Sequence, residues 1–177
     1  MVEDPIPKMI IEIEESEWTA FRTLWTFMEK RSYLSNLFLR DFYAGPYFLN
    51  CFAHVLNKKD WPHFRYYLGN IVLLTPGEHA LLDQGTIEQR ESYAKTVKMA
   101  DWTRIALLRD KLKSEYQALF PTKRGLIIGM RYSNDEVRVV IRKLNAIFLN
   151  TLLSPLQPVE KHDKKKNKGG SHPDKKT

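Results

Sequence analysis

Residues 70–85 read NIVLLTPGEHALLDQG, and few stretches of the chain leave less freedom to the backbone. The apolar run stops at Thr75. The residues TPGE that follow carry three marks of a helix start: a threonine N-cap, a proline at the first helical position, and Glu78 three residues beyond the cap. A short apolar run ending on such a box reads as a buried strand turning into a helix, and Gly85 marks the helix end. The junction places His79 and Asp83 four residues apart, on one helix face. An imidazole beside a carboxylate is either half of a metal site or an exposed polar face. What the rest of the chain brings to that helix decides between them.

Upstream, YFLNCFAHVL (47–56) is rich in aromatic and β-branched residues and reads as a strand, with His54 near its end. NKKDWPHFRYYLG (57–69) is a connecting loop, and Asn70 opens the second strand. The segment 47–85 is thus strand, loop, strand, helix, a topology that can gather His54, Asn70, His79 and Asp83.

The remainder is mainly helical in pattern. Ser16 can cap a helix over 17–30 with Trp18, Phe21, Trp25 and Met28 on its apolar face. Thr86 opens a helix over 86–99. Asp101 caps a long one over 102–119, lined by Trp102, Ile105, Leu108, Leu112, Tyr116 and Leu119 and ended by Pro121. Ser133 and Glu136 form another capping box, for a helix to about residue 150 whose core face is Val137, Val140, Ile141, Leu144 and Phe148. IPKMIIEIEE (6–15) has β-branched alternation and is expected to be extended. Residues 31–46 hold a short element ending at Gly45-Pro46, and 122–133 are a turn-rich connector. The expected class is α+β. A central ββα unit (47–85) lies between an N-terminal helical segment (1–46) and a C-terminal helical segment packing on the unit (86–155), with a tail at 156–177.

A chain of 177 residues with 43% hydrophobic content is long enough for one domain with a real core. Its single cysteine, Cys51, excludes an internal disulfide framework and a four-cysteine zinc site. No apolar run is long enough for a transmembrane helix. The acidic, proline-broken start MVEDPIPKMI is unlike a signal peptide, so a cytoplasmic protein is expected. From Lys161 onward there are seven lysines against Asp163 and Asp174, which supplies five of the net +7. That tail has no aromatic or aliphatic residue and is expected to be disordered and to attract polyanions.

CFAHVLNKKDWPHFRYYLGNIVLLTPGEHALLDQGT resembles the HNH endonuclease motif, the ββα-metal fold, in the divergent form common in bacteriophages. A histidine in strand one, an asparagine 16 residues on, and a histidine nine after that carry the resemblance, with Asp83 at a frequent further ligand position. It covers about forty of the 177 residues and implies a metal-dependent DNA endonuclease of low sequence specificity. His54 would be the general base and Asn70 the residue that orients it. His79 and Asp83 would hold one divalent metal, Mg²⁺ or Mn²⁺ first, with Zn²⁺ and Ni²⁺ open. The partner implied is double-stranded DNA, the location the host cytoplasm if the chain is phage-encoded. Lys58, Lys59 and Arg65 in the aromatic-rich loop, and Arg90 beyond the site helix, are candidate phosphate contacts. Trp61, Phe64, Tyr66 and Tyr67 suit base stacking or core packing. His63, beside Pro62, is expected to be exposed. Ala53 stands where the family commonly has a histidine or aspartate ligand. This departure sets up the alternative reading, a catalytically inactive HNH-fold protein that binds DNA or assists packaging. Nothing in the sequence fixes the oligomeric state.

Overall fold

The computed structural model describes residues 6–30, 48–96, 101–121 and 132–153. Among these residues, six α-helices surround a two-stranded antiparallel ribbon: α1 (Ile6–Glu15), α2 (Glu17–Lys30), α3 (Pro76–Gln84), α4 (Ile87–Thr96), α5 (Trp102–Leu119) and α6 (Asn134–Leu153), with β1 (Phe52–His54) and β2 (Ile71–Leu73) between α2 and α3. Phe52 pairs with Leu73, Ala53 with Val72 and His54 with Ile71. The class is α+β, mostly helical. Among the described residues, no helix is long and apolar enough to cross a membrane.

The ribbon is a septum between two cores, which explains why its second strand is apolar on both faces. Side chains alternate across a strand. Phe52, Ile71 and Leu73 pack with α1, α2 and Leu149 of α6. Ala53, Val72 and Leu74 pack with Leu82, Ile105, Leu112 and Ile141 from α3, α5 and α6. On the first side, Phe21 of α2 stacks face to face on Phe52, with ring centroids 4.5 Å apart. His54 follows Phe52 by two residues and takes the same face, beside Phe21.

The helix starts are local and match the expectations. Thr75 and Glu78 form the reciprocal box, with Thr75 N–H donating to Glu78 Oε2 at 2.9 Å and Glu78 N–H to Thr75 Oγ1 at 3.3 Å. Ser16, Thr86, Asp101 and Ser133 cap α2, α4, α5 and α6 in the same way, each accepting from the N–H three residues on. Gly85 closes α3 with an ordinary extended backbone. Glycine is needed there for a different reason: a Cβ would lie 2.5 Å from the Leu81 carbonyl oxygen.

Three expectations are corrected. Residues 6–15 are a helix and not a strand. Ile6, Ile10 and Ile13 fall on one helical face and are buried against α2 and α6, while Glu14 on α1 pairs with Arg138 and Arg142 of α6. The long strand expected over 47–56 shrinks to three residues, because Phe48–Cys51 winds into a 3₁₀ turn before the ribbon begins. Trp18 is not in the core but 45% exposed. The side chain of Met28, the segment 31–46, most of the connector 122–133 and the tail lie outside the described residues.

Candidate active site on the strand–loop–strand–helix unit

Asn70 is wholly buried at the end of the 3₁₀ turn that leads into β2. Its Oδ1 accepts from the Leu56 N–H at 2.8 Å, and its Nδ2 donates to the carbonyls of Leu56 at 3.0 Å and Phe64 at 3.3 Å. One side chain therefore ties both ends of the 57–69 loop. Asn145 of α6 ties the middle: Oδ1 accepts from Leu68 N–H and Nδ2 donates to the Tyr66 carbonyl, both at 2.9 Å. Asn145 is also buried, and only its place in the fold reveals the role.

Between these two clamps lies the Arg65 carbonyl, 3.0 Å from His54 Nε2. A carbonyl oxygen only accepts, so Nε2 carries the proton and Nδ1 is the lone-pair nitrogen of neutral His54. Burial pushes the His54 pKa below its ordinary 6.5, and the charge on Lys58, with that of His79 whenever its ring is protonated, acts in the same direction; the Arg65 carbonyl and Glu17 oppose it without cancelling it.

His79 is oriented in the same manner. Its Nδ1 lies 2.9 Å from the Asn50 carbonyl, in the turn before β1, so Nδ1 donates and Nε2 is left bare. That Nε2 faces Asp83 Oδ2 at 3.4 Å. A lone pair opposite a carboxylate is favourable only with a cation between or beside them, either a proton on the ring or a metal ion. A histidine whose second nitrogen is held by a backbone carbonyl is the usual arrangement for a metal ligand. His79 and Asp83 thus fit a divalent cation that completes its shell with water and substrate oxygen. Among the described residues, no group of three or more His, Cys, Asp or Glu side chains is set to hold a metal, so these two would be its protein donors. Cys51 is not one: it is buried, and burial pushes its thiol up to about 11.

His54, His79 and Asp83 line one cleft of about 400 Å³, with Lys58 and Glu17 on its rim and Trp18, Phe21 and Leu49 as its apolar wall. His54 and Asp83 also line a second cleft of about 450 Å³, together with Arg90, Arg109 and Lys113. His54, the candidate base, and Asp83, a candidate metal ligand, therefore border both clefts. A larger cavity of about 880 Å³, bordered by His63, Arg65, Tyr132 and Arg138, contains none of the four constellation residues.

Three of the four basic residues expected to grip phosphate have protein partners. Lys58 and Arg65 both pair with Glu17, at 3.0 and 2.8 Å, and remain about half exposed. Glu17 feels burial, which opposes its charge, yet the hydrogen bonds and charges of Lys58 and Arg65 leave its pKa lowered. Arg90 caps α3, donating to the carbonyls of Leu81 at 3.1 Å and Leu82 at 3.3 Å, with its guanidinium over the Trp102 ring. Lys59 is exposed. The loop aromatics are packing groups: Phe64 is fully buried, and Trp61, Tyr66 and Tyr67 lean on the same core. His63 is not the exposed residue expected. It stacks on Tyr116, lies 4.6 Å from Phe120, and has its pKa lowered by burial.

Ala53 is fully buried in the core shared with Val72 and Leu74. It lies on the face of β1 opposite His54. Comparison of the chain with family models, with curated proteins and with solved structures returns no match.

Proposed function

We propose that the chain is a metal-dependent DNA endonuclease of the HNH type, hydrolysing phosphodiester bonds in duplex DNA with little sequence preference. One observation carries the reading: His54, with its Nδ1 lone pair fixed by the Arg65 carbonyl, shares a cleft with His79 and Asp83, whose facing lone pairs call for a cation.

The roles follow from those positions. His54 Nδ1 takes a proton from water as the water oxygen bonds to phosphorus and the bond from phosphorus to the 3′ oxygen breaks. Its burial keeps the ring neutral, and so basic, at pH 7. Asn70 is a positioning residue: it holds the loop whose Arg65 carbonyl fixes the tautomer. His79 and Asp83 would hold one divalent ion, Mg²⁺ or Mn²⁺ by the hardness of a site with one nitrogen, one carboxylate and several waters. Such an ion supplies charge neutralisation at the phosphate and at the leaving oxygen.

A second reading is favoured by Ala53. An apolar, buried residue at a usual ligand position suits a protein that keeps the ββα shape to bind duplex DNA without cutting it. Supercoiled plasmid separates the two. Relaxed or linear product formed in Mg²⁺ or Mn²⁺ and abolished by EDTA supports the nuclease. Intact plasmid, retarded on a gel with or without metal, supports the binding protein.

A further inference from the structure

Two half-buried cations on α5 lack the bonding that holds Lys58, Arg65 and Arg90. Arg109 and Lys113 are four residues apart and so project from one helix face. Both are half-buried, and both line the 450 Å³ cleft together with His54, Asn57 and Asp83. Lys58 and Arg65 have Glu17, and Arg90 has two carbonyls. Among the described residues, Arg109 and Lys113 make neither a hydrogen bond nor an ion pair. Arg109 is in a poor place for a charge: burial disfavours it, Arg90 repels it, and Asp110 and Asp83 only partly offset this. The cleft's other carboxylate, Asp60, is already bonded to Asn57 Nδ2 at 2.8 Å. A partly desolvated cation whose nearby carboxylates offset its cost only in part is a place where an anionic ligand can supply the missing charge.

We propose that Arg109 and Lys113 form a phosphate-binding wall that takes the backbone of duplex DNA beside the bond presented to His54. The identity of the anion as DNA rests on the nuclease reading; the unpaired cations facing the cleft do not. A guanidinium can fork onto two phosphate oxygens, and an ammonium one turn away can meet the next phosphate as a point charge. The strand would then pass over His54 and Asp83, with the scissile phosphate between the cleft lined by Arg109 and Lys113 and the cleft lined by His79.

The test uses the full-length chain in a His54→Ala background, so that nothing is cut, in EDTA. Affinity for a short fluorescent duplex is measured by anisotropy between about 50 and 200 mM salt, where counterion release gives a slope of about 0.9 per neutralised phosphate. Adding Arg109→Ala and Lys113→Ala should flatten the log–log slope by about 1.8 and weaken low-salt binding on the order of tenfold per residue. Arg109→Lys with Lys113→Arg should keep the slope. Because neither side chain has a hydrogen-bond or ion-pair partner among the described residues, melting temperatures should match the parent; Arg109→Gln alone gives a second reading if the double variant is unstable. An unchanged slope and affinity, or no duplex binding by the parent, overturns the wall. Plasmid cleavage is scored separately on the wild type. Flattened binding without cleavage would sink the nuclease and leave the wall, and cleavage with an unchanged slope would do the reverse.

Discussion

Asn70→Asp changes one atom in the least accessible polar group of the site. Asn70 Oδ1 can still be replaced as an acceptor for the Leu56 N–H. The Nδ2 donor, however, becomes an oxygen facing the carbonyls of Leu56 and Phe64, now 3.0 and 3.3 Å from another acceptor. Asn70, Leu56 and Phe64 are each at most 2% exposed, so water cannot repair the mismatch. The Phe64 carbonyl keeps the Tyr67 N–H, but the Leu56 carbonyl is orphaned, and one orphaned buried carbonyl gives a loss of about 1–3 kcal/mol at neutral pH, a sizeable part of the ~5–15 kcal/mol that holds a domain together. The loss must depend on pH. The introduced carboxyl, buried and facing acceptors, has its folded pKa raised above the unfolded value of about 3.9. A raised folded pKa means stability that is fully present below the unfolded value and is lost as pH rises through the folded one. The protonated acid can donate to one carbonyl again, so the deficit against wild type should shrink toward ~pH 4 and grow toward ~pH 7.5. Urea unfolding followed by circular dichroism at both pH values, wild type beside variant, reads the difference directly. A deficit under about 1 kcal/mol at neutral pH, or one that is the same at both, would refute the assignment of Asn70 as the clamp of the loop.

Other outcomes follow from neighbouring contacts. Asn145→Ala removes the partners of Leu68 N–H and the Tyr66 carbonyl and should destabilise by about 2–4 kcal/mol in a denaturant or thermal melt; a change within ~0.5 kcal/mol would mean the loop does not need α6. Cleavage should be lost as pH falls, with its acid limb centred below 6.5, because the base must be neutral and burial lowers the His54 pKa; a limb centred above 6.5, or an NMR titration of His54 there, contradicts this. Ala53→Asp should not restore a ligand. It buries a carboxyl in an apolar core on the wrong face of β1, and the melt should show a loss of ~3 kcal/mol or more, with no gain in cleavage.

What could be read in the sequence was local or periodic. The boxes at Thr75/Glu78 and Ser133/Glu136 involve residues three apart, so their geometry is written in the chain itself. The inner face of α5 was legible for the same reason, in the 3.6-residue spacing of Ile105, Leu108 and Leu112. IPKMIIEIEE fits both a helical and an alternating period, and the packing of Ile6, Ile10 and Ile13 on two other helices decides it. His54, His79 and Asp83 could be named because strand, strand and helix follow one another without interruption. Asn145 could not: its partners at 66 and 68 lie 79 and 77 residues away. Nor could the capture of Lys58 and Arg65 by Glu17, more than forty residues upstream, which removes them from the free cations. Arg109 and Lys113 carry one weak local signal, a basic pair at helical spacing; only the cleft they share with His54 gives it meaning.

The most direct measurement is the initial rate of plasmid nicking in Mn²⁺ by wild type and by His54→Ala. The side chain is half-buried at a strand end and holds one carbonyl, so the variant should fold, which a melt verifies. The expected result is metal-dependent nicking by the wild type and a loss of about 10²–10⁴-fold in the variant, the usual worth of a general base. Equal rates in the two proteins, or nicking that survives EDTA, would contradict a site built on His54.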